Sequence, residues 1–280
     1  MQEPFTSSKG RGYRVRAHVP DAAPPDAGYP LVWLLDAPTT WAPMQQALHG
    51  QEDSAVVLGI DWEIDGKLPP GLRRRDFTSP ALHEVPPPRG PAERWDEDGD
   101  ADAFLEFILQ TLQPHYLDRL PVNRRRQTLA GHSLSGLFVL QVLLRRPDAF
   151  AGFVAASPSI WWDGKRIMND AKGRSTPPAT VARVLLTVGS DEQVAGPEKP
   201  PEVEGEDAAA VLGEPHMVDY AAEFSEQLRA AGVDCRFQVF EGETHHSVVP
   251  ASMAAALEFA CALGGGASGQ ADPSSELSVS

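Results

Sequence analysis

Short continuous apolar runs recur along the chain, each closed by a turn containing Gly, Pro, Asp or Ser. Leu31–Leu35, Ala55–Ile60, Gln127–Ala130, Phe150–Ala156 and Val184–Val188 read as strands buried on both faces. Gly12–Val19 and Asp234–Phe240 alternate instead, as half-exposed strands do. Segments of helical period lie between them: a short one near Met44–Leu48, Ala101–Leu117 with Phe104, Leu105, Ile108 and Leu112 on one face, and Leu134–Leu144. Two more follow, Met217–Ala231 with Gly232 as its C-cap, and Pro250–Leu263. Strands alternating with helices predict an α/β fold, a mostly parallel central sheet with helices on both faces.

Two stretches break this rhythm. Residues 62–100 hold the run Arg73-Arg74-Arg75-Asp76-Phe77-Thr78, prolines at 86–88 and an acidic cluster from Glu93 to Asp102, and read as an irregular excursion. Residues 194–214, rich in Pro, Gly, Glu and Ala, read as a second, and 264–280 as a disordered tail. The remainder is expected to form one domain over 1–263, since 280 residues with 42% hydrophobic content can bury one large core.

Charge and cysteine usage narrow the function. A formal net charge of -15 argues against nucleic acid and anionic membranes as partners. Cys235 and Cys261 lie far apart, with neither a disulfide framework nor metal-ligand spacing, so buried thiols are expected and no metal or cofactor is implied. Met1–His18 has no apolar signal core, and no run is long enough to span a bilayer, which points to a cytoplasmic protein.

Candidate chemistry centres on Leu129-Ala130-Gly131-His132-Ser133-Leu134-Ser135-Gly136. An apolar strand, a Gly-x-Ser-x-small turn and an apolar helix follow one another there, as in a nucleophile elbow. Such a turn exposes the serine hydroxyl and aims the next amide, that of Leu134, at a developing oxyanion. The fifth position is Ser135 where the pattern has Gly; serine is small enough for close helix packing. Ser135 is the alternative nucleophile, but Ser133 stands where its glycine should be, so Ser133 is preferred. An acid follows a later strand in Gly189-Ser190-Asp191-Glu192, and a histidine follows the last strand in Gly242-Glu243-Thr244-His245-His246. Nucleophile, acid and histidine therefore fall in the chain order of α/β-hydrolases. A serine hydroxyl needs an imidazole to take its proton, and the imidazole needs a partner to fix its tautomer.

Gly131-His-Ser-Leu-Ser-Gly-Leu-Phe138, Arg146-Pro-Asp-Ala-Phe150 and Ala155-Ala-Ser-Pro-Ser-Ile-Trp-Trp-Asp163 resemble the putative-esterase (esterase D-like) family. Within it the chain is most similar to the branch of ferric-siderophore esterases that open enterobactin-, salmochelin- and bacillibactin-type trilactones. Arg74-Arg75-Asp76-Phe77-Thr78 and Phe240–Pro250 carry the same likeness, which spans about Gly12–Leu263. The resemblance implies the α/β-hydrolase fold, Ser133 as nucleophile and His245 as base. It makes Glu192 the acid, with Asp191 as fallback and a Ser-His dyad as a further possibility. His246 stands where the family usually has Gly and is expected to face the substrate pocket. Arg74, Arg75, Trp161 and Trp162 would suit an anionic tris-catecholate iron complex by charge pairing and stacking, and the iron would then belong to the substrate. The two adjacent tryptophans point in different directions, so one is expected in the core.

One departure bears on turnover. The family has Asp-Gly where this chain reads Asp36-Ala37-Pro38, in the corner that supplies the second oxyanion donor, and proline has no N–H. If the residue at Pro38 is the family's donor, the hole keeps only the Leu134 amide unless Ala37 or Thr39 takes over. The resulting expectation is a serine esterase acting through an acyl-enzyme on a small-molecule ester, with a ferric catecholate siderophore foremost and oligomeric state open. A general carboxylesterase or thioesterase of the same fold, and a catalytically impaired ligand-binding relative, are the alternatives.

Overall fold

The computed structural model describes residues 2–64, 70–82, 99–172, 182–193 and 216–263. The proline run at 86–88, most of the acidic cluster, the 194–214 excursion and the tail 264–280 lie outside the described residues.

Strands β1 (Gln2–Thr6), β2 (Gly12–His18), β3 (Tyr29–Leu34), β4 (Val56–Trp62), β5 (Val122–His132), β6 (Gly152–Ala156), β7 (Arg183–Gly189) and β8 (Asp234–Phe240) form one sheet. Its order is β1-β2-β4-β3-β5-β6-β7-β8, antiparallel across β1, β2 and β4 and parallel from β4 through β8. The mostly parallel sheet expected from the continuous apolar runs is the one formed. Each run feeds two cores in turn. Leu31 and Trp33 of β3 face one side with Leu58, Leu129, Phe153 and Leu186, while Val32 and Leu34 face the other with Val57, Ala130 and Val154. The first side is closed by α3 (Ala101–Phe107), α5 (Leu134–Arg145) and α7 (Met217–Ala230), through Phe104, Phe138 and Phe224. The second is closed by α1 (Ala37–Leu48) and α8 (Val249–Ala262), through Met44, Leu48, Met253 and Leu257.

Three elements differ from the sequence reading. The edge strand β1 has no apolar run because it is half exposed and pairs only with β2. The helix expected near Met44–Leu48 begins at Ala37, because Pro38 occupies the first turn, where amides have no intrahelical acceptor to lose. Residues 62–100 are not wholly irregular: α2 (Pro70–Phe77) carries the arginine run, and tertiary burial of Asp76 and Phe77 holds a helix that its polar sequence does not advertise. The helix after α3 continues through a π-helical turn, Ile108–Leu112, into α4 (Gln113–Leu117), and α6 is Trp162–Lys172. Cys235 is buried and Cys261 half-buried, both as free thiols, and burial pushes the Cys235 thiol up to about 12.

Candidate active site

Neighbouring strands β3, β5 and β6 end together, and each is followed by a residue held at positive φ: Asp36 at 58°, Ser133 at 61° and Ser157 at 40°. Non-glycine residues in such conformations cost about 1–3 kcal/mol each, and they gather where surrounding structure enforces an unusual direction. At Ser133 the enforcement is visible. Its amide donates to the Ala156 carbonyl at the end of β6, and its carbonyl accepts from Ser159 and from Leu137 in α5. Gly131 lets the helix close over the turn, since a Cβ there would lie 2.7 Å from the Ser135 backbone. Ser135 is fully buried, its hydroxyl donating to the His132 carbonyl at 2.8 Å and accepting from the His132 amide at 2.9 Å. The departure at the fifth position thus builds a local clasp, and Ser135 has no free hydroxyl to act as nucleophile.

Ser133 Oγ lies 2.9 Å from His245 Nε2, and His245 Nδ1 lies 2.5 Å from Glu192 Oε2. A carboxylate only accepts, so Nδ1 carries the imidazole proton and Nε2 is left to accept from the serine. The buried Glu192 is fixed through its other oxygen, which accepts from Ser157 Oγ at 2.6 Å and from the Gly189 amide at 2.7 Å. Asp191, the fallback acid, is exposed, and its carboxylate accepts from Ser190. The acid and histidine loops are tied: the Asp191 amide donates to the Glu243 carbonyl and the Gly242 amide to Ser190 Oγ. Gly189 permits the approach, because a Cβ there would stand 2.1 Å from the Glu243 oxygen.

The register of Leu34 opposite Ala130 carries the Asp36-Ala37 turn alongside the Gly131–Ser133 turn. Thr39 and Thr40 donate to the Asp36 carbonyl. The amides of Ala37 and Leu134 have no acceptor among the described residues. Asp36 is buried and bound by Arg73, at 2.9 Å from Nε and 2.7 Å from a terminal nitrogen. Burial raises the Asp36 carboxyl, and Arg73 pulls it back down.

The arginine facing this corner is therefore Arg73, one position ahead of the two singled out from sequence. Arg74 and Arg75 are buried, and Arg75 pairs with Asp76, which also accepts from Tyr13 and Trp62. Trp162 is buried in the core, whereas Trp161 is partly open. His246 is exposed, with its ring 5.6 Å from that of His245. Sequence reasoning missed Ser157 and Ser159, whose hydroxyl lies 3.4 Å from Ser133 Oγ, as well as His132 and the Asp36–Arg73 pair. The Ser-Pro-Ser pattern directly after a buried strand was the available signal.

A family model described as putative esterase matches residues 6–259. The chain belongs to that family. The esterase is similar to ferri-bacillibactin esterase BesA of Bacillus subtilis (strain 168), 34% identical over 271 residues that cover 90% of this chain and 86% of that protein. It is also similar to the siderophore enterobactin esterase of Emericella nidulans, 29% identical over 248 residues, or 81% and 80% of the two chains. The BES protein from Bacillus cereus matches in structure with a TM-score of 0.73 at 28% identity, covering 93% of this chain and 95% of that one. The fold is the α/β-hydrolase fold, and the esterase is a serine hydrolase by family. Among the described residues no helix is long and apolar enough to cross a membrane.

Proposed function

We propose that Ser133, His245 and Glu192 form the catalytic triad of a siderophore esterase, and that Leu134 and Ala37 supply its oxyanion hole. The unbroken hydrogen-bond chain from Ser133 Oγ through His245 to Glu192 carries this reading. Ser133 Oγ attacks the ester carbonyl as its proton passes to His245 Nε2, and Glu192 stabilises the imidazolium. The negative charge on the carbonyl oxygen is met by the two unused amides, an arrangement of preorganised donors in which each is worth roughly 10² to 10³ in turnover. Collapse releases the alcohol, protonated by His245, and leaves an acyl-serine. Water activated by the same imidazole then hydrolyses it. Pro38 leaves this hole intact because the donor is the residue before it.

The substrate class rests on the relatives, which are named for bacillibactin and enterobactin. His246, exposed with its ring 5.6 Å from that of His245, and Trp161, partly open and two residues past Ser159, are the side chains we assign to contact with catechol rings. Arg74, Arg75 and Trp162 are too buried for that contact. Iron enters with the substrate. Two free thiols among the described residues suit a reducing compartment such as the cytoplasm.

The test is a product assay with iron-loaded enterobactin, iron-free enterobactin and p-nitrophenyl butyrate in parallel. The reading predicts ring opening of the cyclic tri-ester with kcat/KM at least about tenfold above the simple ester. Turnover of the simple ester alone would make the protein a general carboxylesterase.

A further inference from the structure

Besides the catalytic contact, a second hydrogen bond links the nucleophile's strand to the histidine loop. His132, the last residue of β5, is buried, and its ring centroid lies 4.6 Å from that of His245. Its Nε2 is 3.0 Å from the His245 carbonyl oxygen. A carbonyl oxygen can only accept, so Nε2 bears the hydrogen and donates it. We propose that His132 is a positioning residue, whose Nε2–H ties the His245 backbone to the strand carrying Ser133 and so sets the distance between nucleophile and base. This inference rests on the Ser133–His245 reading given above.

The connectivity of the loops supports it. The other ties of the histidine loop, through Gly242 and Glu243, run to the acid loop at Ser190 and Asp191. Among the described residues, two hydrogen bonds join the histidine loop to the elbow: the Ser133–His245 contact and the one from His132. Without the latter, His245 keeps its bond to Glu192, which Ser157 and Gly189 hold in place, but its backbone loses the tie to the strand that carries Ser133. The His132 backbone is itself clasped at both its amide and its carbonyl by Ser135, so the donor is anchored at its root.

Charge supports it as well. Burial holds the His132 imidazole well below its ordinary value, and His245, Arg73 and His246 around it act in the same direction, against the opposing bond to the His245 carbonyl. Staying neutral, His132 places no second positive charge beside His245 when that ring takes the serine proton. A lysine or arginine at 132 could donate the same hydrogen bond but would oppose the step it was meant to support.

The experiment compares His132→Leu, His132→Asn and His132→Gln with the wild type and Ser133→Ala, on p-nitrophenyl butyrate, after circular dichroism shows which variants fold. Leu has no donor, Asn is too short, and the Gln amide reaches roughly where the imidazole Nε2 stands. Expected is a fall in kcat of roughly 10- to 100-fold in Leu and Asn, with KM nearly unchanged, and recovery of most of kcat in Gln. The downfield proton resonance of the His245 Nδ1–H should persist in every folded variant, because the bond to Glu192 survives. Should Leu fail to fold, the Asn and Gln pair decides alone. Wild-type kcat in the folded variants, or equal loss in Asn and Gln, overturns the inference while leaving the triad standing if Ser133→Ala is inactive. Activity surviving in Ser133→Ala would instead remove the triad reading itself.

Discussion

Ser157 donates from its hydroxyl to Glu192 Oε1 at 2.6 Å, from a buried backbone position held at a φ of 40°. The residue that follows β6 thereby orients the acid that follows β7, and leaves the other carboxylate oxygen for His245. Ser157→Ala is expected to cost about 1.5–3 kcal/mol in urea unfolding, the worth of a hydrogen bond to a charged group, and to lower kcat. Glu192→Gln should lower kcat by roughly 10² to 10⁴ with the fold intact, and Asp191→Asn should leave it within about twofold. Steady-state kinetics on the three variants separates the acid from its neighbour.

Gly189→Ala places a methyl group against backbone, 2.1 Å from the Glu243 carbonyl oxygen in the undisturbed geometry. The contact cannot be relieved by a rotamer change, so β7 and the histidine loop must part. A loss of about 1–3 kcal/mol in stability is expected, with turnover falling further than stability alone explains. Urea midpoints and kcat measured on the same preparation check it.

Acid should weaken the fold through His132. Its folded pKa lies below the value of about 6.5 for a free imidazole, so the unfolded chain binds more protons between the two values. The contribution is therefore fully present above about pH 6.5 and is lost as pH falls toward the folded value, at up to about 1.4 kcal/mol per pH unit. Unfolding at pH 7.5 and 5.5 should show a steeper decline in the wild type than in His132→Gln. Equal slopes would contradict the assignment.

Arg73→Ala strips the counter-charge from Asp36, which has no exposed side-chain surface and one oxygen without a hydrogen-bond partner. Leaving such a carboxylate unpaired is expected to cost about 3–5 kcal/mol. Adding Asp36→Asn should restore part of that loss, and a double-mutant cycle in urea measures the coupling. Because Asp36 sets the turn before Ala37, turnover should drop in the single variant as well.

The parallel sheet was legible because strands buried on both faces leave unbroken apolar runs, as in Leu31–Leu35 and Val184–Val188. The chain order of Ser133, Glu192 and His245 was legible because each candidate lies within a few residues of the end of an expected strand, the last of them the alternating Asp234–Phe240. Helix α2 was not, since a polar Arg-rich segment owes its helicity to burial of Asp76 and Phe77, which no local pattern records. The supporting residues were hidden for a related reason. Ser157, His132 and Arg73 act through neighbours dozens of positions away, and the register that unites them exists only in the folded sheet. Pro38 drew attention in sequence because it lacks an amide, yet the fold places it one residue past the free one.

Intact-protein mass spectrometry after exposure to a fluorophosphonate reads out whether Ser133 is an activated nucleophile, with Ser133→Ala and His245→Ala treated alongside. A nucleophilic Ser133 activated by His245 takes up a single adduct in the wild type, absent from Ser133→Ala and strongly slowed in His245→Ala. Folded wild-type protein that takes up no adduct, or an adduct that persists in Ser133→Ala, would contradict it.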